Sequence, residues 1–171
     1  MALNIPTGVT SNGTVQVHWV PTIADPNNPT VAEISGAGAL DISCYLTADG
    51  LSLSADQTTT TNRRLCSKQE YTIGGTITWS IGALRYVWDP QGLYTDTHDA
   101  YAALTPESTG FLVVRWGRDA ETALASGDVV DVFAVTLGEQ VPQTPEANSE
   151  LYVTQVPNVT GSVFRDVTVA A

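Results

Sequence analysis

Few side chains in this sequence could do chemistry, and their spacing does not bring them together. The two histidines, His18 and His98, are 80 positions apart, and neither has a sequence partner that marks a catalytic triad. No Gly-x-Ser-x-Gly motif occurs. With 18 acidic residues, some carboxylates will meet by chance in any fold. We therefore expect no enzyme activity and assign no catalytic residue.

Sites for metal ions or cofactors are not indicated either. Segment 21–30 contains Asp25 and two asparagines, which could bind calcium. Its prolines and the absence of the glutamate ligand of the motif exclude an EF-hand. The Gly36-Ala-Gly38 motif lacks the third glycine and the βαβ unit of a dinucleotide-binding fingerprint. Cys44 and Cys66 have no metal-ligand spacing. Two buried thiols are favoured over a disulfide, and whether the two cysteines ever pair stays open. The sequence thus predicts no metal and no cofactor.

The charge balance excludes further classes of protein. The chain has 171 residues, with 7 Lys and Arg against 18 Asp and Glu, so its formal net charge is −11. Binding a phosphate backbone or an anionic membrane requires clusters of cations. The only adjacent basic pair here is Arg63-Arg64. No apolar run approaches the roughly 20 residues that cross a bilayer. We therefore expect neither a dedicated nucleic-acid binder nor a membrane protein.

The elements that must position these residues are mostly β-strands. Apolar and polar residues alternate with a period of two in several segments, and the chain is rich in β-branched residues, with 23 Thr and 19 Val. Segment 128–137 is apolar on both faces, which predicts burial on both sides. The predicted strands are 14–20, 76–81, 84–88, 111–116, 128–137, 151–156 and 159–169, with a further short strand at 31–34, and the segment 40–46 fits either a strand or a helix.

One helix is predicted at 97–104, where Asp96 can cap the first turn and Pro106 follows the end. Roughly eight or nine strands against one helix predict a mainly β fold: an antiparallel β-sandwich or barrel-like sheet with one flanking α-helix. Neither an internal repeat nor a domain boundary is visible. Residues 1–171 are therefore expected to form a single domain.

The stretch 51–64 is the most polar of the chain. It contains an unbroken run of Thr58, Thr59, Thr60 and Thr61. Such a run has high β-propensity but nothing apolar to bury. A long hairpin arm reaching away from the core, or a solvent-exposed loop, is expected there.

The clearest strand, at 76–81, has two different faces. One face is apolar and the other carries hydroxyl groups; the apolar residues Ile77, Trp79 and Ile81 alternate with Thr76, Thr78 and Ser80. The preceding Gly74-Gly75 predicts a bulge or a sharp bend. One sheet face is therefore expected to be polar and wet.

The order of several segments resembles that of a known family. The similar segments are 40–46 (LDISCYL), 62–67 (NRRLCS), 88–92 (WDPQG), 110–117 (GFLVVRWG), 127–133 (GDVVDVF) and the ending 159–171 (VTGSVFRDVTVAA). They resemble the major tail proteins, or tail tube proteins, of long-tailed, non-contractile phages, and most nearly those of phages that infect actinobacteria. The similarity runs over nearly the whole chain, in loose patterns without a catalytic signature.

The resemblance implies a structural role in the virion. Members of this family form hexameric rings that stack into the tail tube around a tape-measure protein, and the finished tube conducts DNA during ejection. Four strands per subunit build a continuous inner β-barrel, a long loop or hairpin arm reaches the next ring, and a helix packs outside the barrel. The implied partners are further copies of the chain, the tape-measure protein, and the tail terminator and distal tail proteins. The implied location is the phage tail, after assembly in the host cytoplasm.

Two groups of residues receive roles from that resemblance. The arm would make the inter-ring contact through its threonine run, with Arg63 and Arg64 finding acids on the next ring. The hydroxyl face of Thr76, Thr78 and Ser80 would line the lumen. Six copies at −11 each would give −66 per ring, and an acidic lumen that is too narrow to be fully screened repels phosphates. DNA is therefore expected to pass without specific binding.

Two other functions remain open from the sequence. One is another ring-forming virion protein of similar fold, such as a tail terminator or a head–tail connector protein. The other is a carbohydrate-binding β-sandwich, because tryptophans can stack on sugars. The four tryptophans, however, all lie in strand patterns, which favours core positions for them; they are Trp19, Trp79, Trp88 and Trp116.

Overall fold

Eight strands and two short helices follow one another in the computed structural model, which describes residues 3, 5–92 and 98–171. Their bounds are β1 Val15–Val20, α1 Val31–Ile34, β2 Leu40–Asp41, β3 Leu53–Asn62, β4 Tyr71–Ile81, β5 Leu84–Val87, α2 Asp99–Ala103, β6 Thr109–Trp116, β7 Val129–Pro142 and β8 Tyr152–Thr168. The prediction of a mainly β, antiparallel fold is confirmed. The second short helix was not predicted.

The main sheet has six antiparallel strands, and a hairpin stands apart from it. The strand order is β2-β1-β6-β7-β8-β5, whereas β3 is paired with β4 in a separate two-stranded sheet. The pairing of β7 with β8 shifts register at three places. Such irregularities bend a strand and increase its twist. The main sheet is accordingly curled into a half-barrel.

Both faces of the main sheet are covered by apolar residues. On one face Phe133 packs in a cluster with Trp19 and with Leu104, next to α2. On the other face Val132 packs with Ile34 of α1. Val132 and Phe133 are neighbours in β7 and both have no exposed surface. The predicted burial of this segment on both sides is therefore confirmed, apart from Val129 at its start, which is exposed.

The short strand predicted at 31–34 is wrong, because these residues form α1. Thr30 Oγ1 accepts a hydrogen bond from Glu33 N at 3.3 Å, and Glu33 Oε2 accepts one from Thr30 N at 2.9 Å. This capping box satisfies two backbone donors that an uncapped helix start leaves free. The Thr-x-x-Glu spacing of a capping box was the sequence signal for this helix, and the prediction did not use it.

The helix α2 lies within the predicted helix at 97–104, and its predicted cap, Asp96, lies outside the described residues. Two glutamine side chains hold its C-terminal end. Gln140 Nε2 and Gln155 Nε2 both donate to Leu104 O, at 3.0 and 2.8 Å. They satisfy a carbonyl group that the helix itself cannot pair and fix α2 to β7 and β8.

His18 gives the fold a predictable sensitivity to acid. It lies on β1 opposite Asp41 of β2 and is only 6% exposed. Burial lowers its pKa, and the nearby Arg115 lowers it too, while Asp41 acts in the opposite direction. The unfolded chain therefore binds this proton more readily than the folded protein. We expect the free energy of unfolding to fall as the pH drops below about 6.5, by at most about 1.4 kcal/mol per pH unit.

Urea unfolding at several pH values between about 8 and 5 measures this slope. The variant His18→Gln should flatten the slope, because it removes the proton-binding ring. Equal slopes for His18→Gln and the parent would contradict the prediction.

Candidate assembly interface

A long hairpin, which we call the arm, consists of β3, β4 and the connecting loop 63–70. Its register runs from Leu53 opposite Ile81 at the base to Asn62 opposite Tyr71 near the tip. The predicted polar stretch at 51–64 and the predicted strand at 76–81 are thus the two halves of one element. The structure places Thr58, Thr59, Thr60 and Thr61 on β3, Arg63 and Arg64 directly after it, and Thr76, Thr78 and Ser80 on β4.

The two glycines in β4 form the predicted bulge. Between Gln57 and Thr59 the register of β3 advances by two residues, while the partner strand advances by three, from Ile77 to Gly74. A Cβ atom on Gly74 would lie 2.5 Å from the Gln57 side chain, and one on Gly75 would lie 2.6 Å from that of Thr58. The flexible Gln57 side chain can move aside, but a Cβ atom on Gly75 would also lie 3.1 Å from the backbone oxygen of Thr58, so Gly75 is the position that favours glycine. The predicted bulge is confirmed.

The bulge changes which face carries the apolar residues of the arm. Side chains alternate along a strand, so one extra residue transfers every later side chain to the other face. Near the base, Ile77 and Trp79 lie on one face with Ile81. Beyond the bulge, Ile73 and Tyr71 lie on the opposite face. The arm therefore shows apolar residues to both sides.

The base of the arm is attached to the body through its apolar face. Ile81 is buried, and the ring of Trp79 meets Phe133 of β7 edge-on, with 6.1 Å between centroids. The guanidinium group of Arg165 on β8 lies 5.5 Å from the Trp79 ring. Such aromatic and cation–π contacts add to the apolar burial. They hold β4 beside β8 although the two strands belong to different sheets.

The hydroxyl face of the arm points away from that attachment. Thr76, Thr78 and Ser80 are all exposed, as the pattern suggested. The register adds an acid to this face, because Asp56 of β3 stands directly opposite Thr78. Asp56 is also exposed. Sequence reasoning missed this neighbour, since only the cross-strand pairing brings it to the face.

Beyond its base the arm has no cover from the rest of the described chain. Ile77, Ile73 and Tyr71 are 55%, 53% and 54% exposed, and Leu65 in the tip loop is fully exposed. An isolated two-stranded hairpin is at best marginally stable in water. Exposed apolar residues in such a setting mark a surface that another molecule covers.

The tip of the arm is basic although the chain is acidic. Arg63, Arg64 and Lys68 are three of the seven Lys and Arg residues of the chain, and they fall within six positions. Arg63 forms an ion pair with Glu70 across the loop. The loop 63–70 therefore carries a net charge of +2 on a chain with −11.

The main sheet leaves a long edge open. The strand β5 covers only Tyr152–Gln155 of β8, and the rest of β8 is paired with β7 on one side alone among the described residues. Natural proteins usually protect an edge with charged residues, prolines or a covering element. An open edge of this length next to the arm is a place where a further strand can pair.

The tryptophans do not form a sugar-binding row. Trp19 is 3% exposed, and Trp79 and Trp88 are partly buried against the core. Trp116 is 47% exposed, so its predicted core position is wrong. It stands at the last position of β6, beyond the covered part of the sheet, where its Nε1 donates to Asp131 Oδ2 at 3.0 Å.

Both cysteines are exposed, so the expectation of buried thiols is wrong. Cys44 and Cys66 lie in turns after β2 and β3, where no strand pattern buries a side chain. Among the described residues, no group of three His, Cys, Asp or Glu side chains is arranged to hold a metal ion. No helix in the described part of the chain is long and apolar enough to span a bilayer.

Comparisons with known proteins agree with this arrangement. Residues 2–171 match a family described as phage tail tube protein. Among solved structures, a similar chain occurs in the cryo-EM structure of the anti-feeding prophage (AFP) baseplate, 6-fold symmetrised, with a TM-score of 0.54 at 11% identity, covering 93% of this chain and 95% of that one. At that identity the likeness concerns the fold alone. Among curated proteins, no sequence matches this chain.

Proposed function

Because the chain belongs to the phage tail tube protein family, we propose that it assembles into stacked hexameric rings that form the tail tube of a long-tailed, non-contractile phage. The DNA is ejected through this tube. The observation that carries the proposal is the arm: an exposed, partly apolar hairpin beside an open sheet edge, on a body whose two faces are otherwise covered. Residues 1–171 would act as one tube-forming domain.

Ring closure would pair the open edges of neighbouring copies. The arm lies with β4 against β8, and β8 is paired with β7. The strands β3, β4, β8 and β7 can therefore line up as a four-stranded wall in each subunit. Closing such walls into a ring removes the free edges. The number six is supported by the similar chain, which comes from a baseplate with six-fold symmetry.

The hydroxyl face of the arm base would line the lumen. Thr76, Thr78 and Ser80 point away from the apolar contact with the body, and Asp56 lies among them. No lysine or arginine belongs to the paired strands β3 and β4. Such a wall is hydrated and negatively charged, and it has no cationic side chain that could bind a DNA phosphate. DNA would pass without specific binding.

Beyond its base the arm would contact the next ring. Thr58, Thr59, Thr60 and Thr61 lie on its outer half, and Arg63 and Arg64 lead its basic tip. The tape-measure protein would occupy the lumen before ejection, and the tail terminator and distal tail proteins would end the stack. Assembly would take place in the host cytoplasm, and the mature protein would reside in the virion tail.

Negative-stain electron microscopy of the concentrated, purified protein tests the proposal. Striated tubes of uniform bore are the expected result. Isolated rings that never stack would favour a tail terminator or a head–tail connector protein. A protein that stays monomeric at every concentration and binds glycans would contradict the proposal and favour the carbohydrate-binding alternative.

A lysine in place of Asp56 should slow DNA ejection. In a hexameric ring, Asp56→Lys replaces six negative charges of the lumen by six positive ones, which attract phosphates. We expect phage particles that carry this variant to assemble but to release their DNA at least tenfold more slowly. A fluorescent dye that reports free DNA after receptor triggering measures the rate.

The control is Glu146→Lys, which makes the same charge change in the exposed connection between β7 and β8. It should leave the ejection rate at the level of the parent phage. Unchanged ejection with Asp56→Lys would contradict the placement of this face in the lumen.

A further inference from the structure

An apolar groove opens beside β1. It has a volume of about 540 Å³. Its lining includes Val15 and Val17 of β1, Leu46, Leu51 and the half-exposed Trp116. The short strand β2 pairs with β1 only at His18 and Trp19, which leaves the start of β1 open to this groove. A groove of this size that is lined by apolar side chains is suited to receive an apolar group.

Acidic residues flank the groove. Ala48 and Ala120 belong to its lining. Asp49 follows Ala48 in the chain, and Asp119 and Glu121 stand on either side of Ala120; all three acids are exposed. The charge of Asp49 is already compensated by Arg85, whose Nη1 donates to Asp49 Oδ2 at 2.8 Å, so Asp119 and Glu121 supply the negative charge that is left for a ligand. A ligand that combines an apolar group with positive charges would match both the lining and the rim.

The tip of the arm has this combination. Leu65 is fully exposed at the end of the loop, and Arg63, Arg64 and Lys68 surround it in the sequence. The rest of the chain carries a net negative charge. Among the described residues, this loop combines a cluster of basic side chains with a large exposed apolar one. The apolar side chain of the tip suits the apolar lining of the groove, and the positive charge of the tip suits the negative charge of the rim.

The tip cannot reach the groove of its own chain. Leu51, which lines the groove, lies just before the base of the arm. The ten residues of β3 carry the tip away from that base by about 3.4 Å each, or roughly 30 Å in total. A folded chain of 171 residues has a radius of gyration of about 16 Å and is therefore roughly 40 Å across. The arm is thus long enough to carry its tip onto the surface of an adjacent copy.

We propose that the groove beside β1 is the docking site for the arm tip of a second copy of this chain. The inference rests on the proposed stacking of rings and deepens it, because it names the surface that receives the arm. Leu65 of one copy enters the groove, and the basic side chains around it meet the acids of the rim. Different surfaces of the two copies meet, so the contact can repeat from one ring to the next without end.

The two cysteines lie at the two ends of this contact. Cys66 directly follows Leu65 in the tip, and Cys44 belongs to the lining of the groove. Both are exposed free thiols. Docking therefore brings Cys66 of one copy beside Cys44 of the next. With oxidised glutathione as the oxidant, the two protein thiols form one S–S bond, and the glutathione disulfide takes up the two electrons and two protons to become two glutathione thiols.

Oxidation of the assembled tubes tests the docking. Tubes are incubated with oxidised glutathione, then denatured with the remaining thiols blocked, and separated by electrophoresis without reductant. Each copy can form one disulfide through its Cys66 and a second one through its Cys44, each to a different neighbour. We therefore expect a ladder of dimers, trimers and longer oligomers. The ladder should collapse to monomer on reduction.

Single-cysteine variants make the test specific. Cys44→Ala alone and Cys66→Ala alone should each lose the ladder, while a mixed assembly of the two variants should give dimers and nothing longer. Tubes that form without a ladder, or that give only dimers in the parent protein, would overturn the docking site and leave the tail tube function standing. Failure to form tubes under any condition would contradict the proposed function and this inference together.

Discussion

Replacing Arg63 and Arg64 of the arm tip by glutamine should abolish tube formation while leaving each subunit folded. The two changes bring the net charge of the loop 63–70 from +2 to zero. An exposed ion pair contributes only about 0.2–1 kcal/mol. In the proposed stack of hexamers, however, six identical arm contacts would join each ring to the next. A loss of about 1 kcal/mol per contact becomes about 6 kcal/mol per ring, which lowers the stacking constant by a factor on the order of 10⁴.

The measurement is the protein concentration at which tubes appear, followed by light scattering and electron microscopy. Asn27→Asp combined with Asn28→Asp is the matched control: it gives the same net charge of the chain, but on an exposed loop of the body. We expect the control to form tubes at the concentration of the parent protein. Tip variants that assemble as readily as the control would contradict a role of the basic tip in stacking. High salt should weaken the parent tubes in the same direction, because exposed charges are screened.

The second large effect concerns the stability of the subunit and arises at Arg115. This side chain is 2% exposed. Its guanidinium group binds Asp128 Oδ2 at 2.9 Å and donates to the backbone oxygens of Asp119 at 2.9 Å and Thr122 at 2.6 Å. It therefore organises the whole connection between β6 and β7.

The variant Arg115→Met should lower the free energy of unfolding by about 2–4 kcal/mol, because it removes the buried cation beside Asp128 and the donor to the backbone oxygens of Asp119 and Thr122, while Arg118 and Ala125 N still bind the Asp128 carboxylate. The total free energy of unfolding of most folded domains is only about 5–15 kcal/mol. Urea unfolding at low protein concentration, where the chain is monomeric, measures the loss. Arg118→Gln is the control, since Arg118 binds the same Asp128 but is half exposed. It should cost less than about 1 kcal/mol. Equal losses for the two variants would contradict the assignment.

Acid should act on the same cluster. Burial opposes the ionisation of Asp128, but the hydrogen bonds from Ala125 N and Arg115 and the charge of Arg118 outweigh it, and the pKa of this carboxyl is lowered. A lowered carboxyl pKa stabilises the folded state above the unfolded-state value of about 3.9. That stability is lost as the pH falls through the folded-state value. The acid sensitivity from His18 begins at higher pH, so the two contributions can be separated.

The class of the molecule could be predicted from the sequence, and so could several details of it. Alternation of apolar and polar residues located β1, β6 and β7, and the double apolar face of β7 was confirmed, but the two separate strands predicted at 151–156 and 159–169 are wrong, because they form one continuous strand, β8. The glycine pair located the bulge of β4. The resemblance to tail tube proteins is confirmed by the family match over residues 2–171, and so is the expectation that the chain is no enzyme, because the family is structural.

Other features could not be predicted, because each depends on residues far apart in the chain. Nothing in the segments 51–64 and 76–81 indicated that they pair with each other, since that pairing depends on how the connecting loop closes. Asp56 became part of the hydroxyl face only through this pairing. Trp116 has the strand pattern of a core residue but stands past the covered end of its strand. Cys44 and Cys66 were predicted to be buried because cysteine is usually a buried residue type. Both lie in turns, which leaves their side chains exposed.

The sequence by itself determined the β-rich composition, the strand periodicity and the acidic charge with its basic cluster at 63–68. These properties are local or additive, because propensity, alternation and charge are carried by a residue and its near neighbours. Only the tertiary structure decided that the arm stands free of the main sheet, that its bulge moves Ile73 and Tyr71 to the other face, and that Cys44 lines a groove of the body. These properties depend on strand register and on distant packing, and a shift of one residue in register would reverse them.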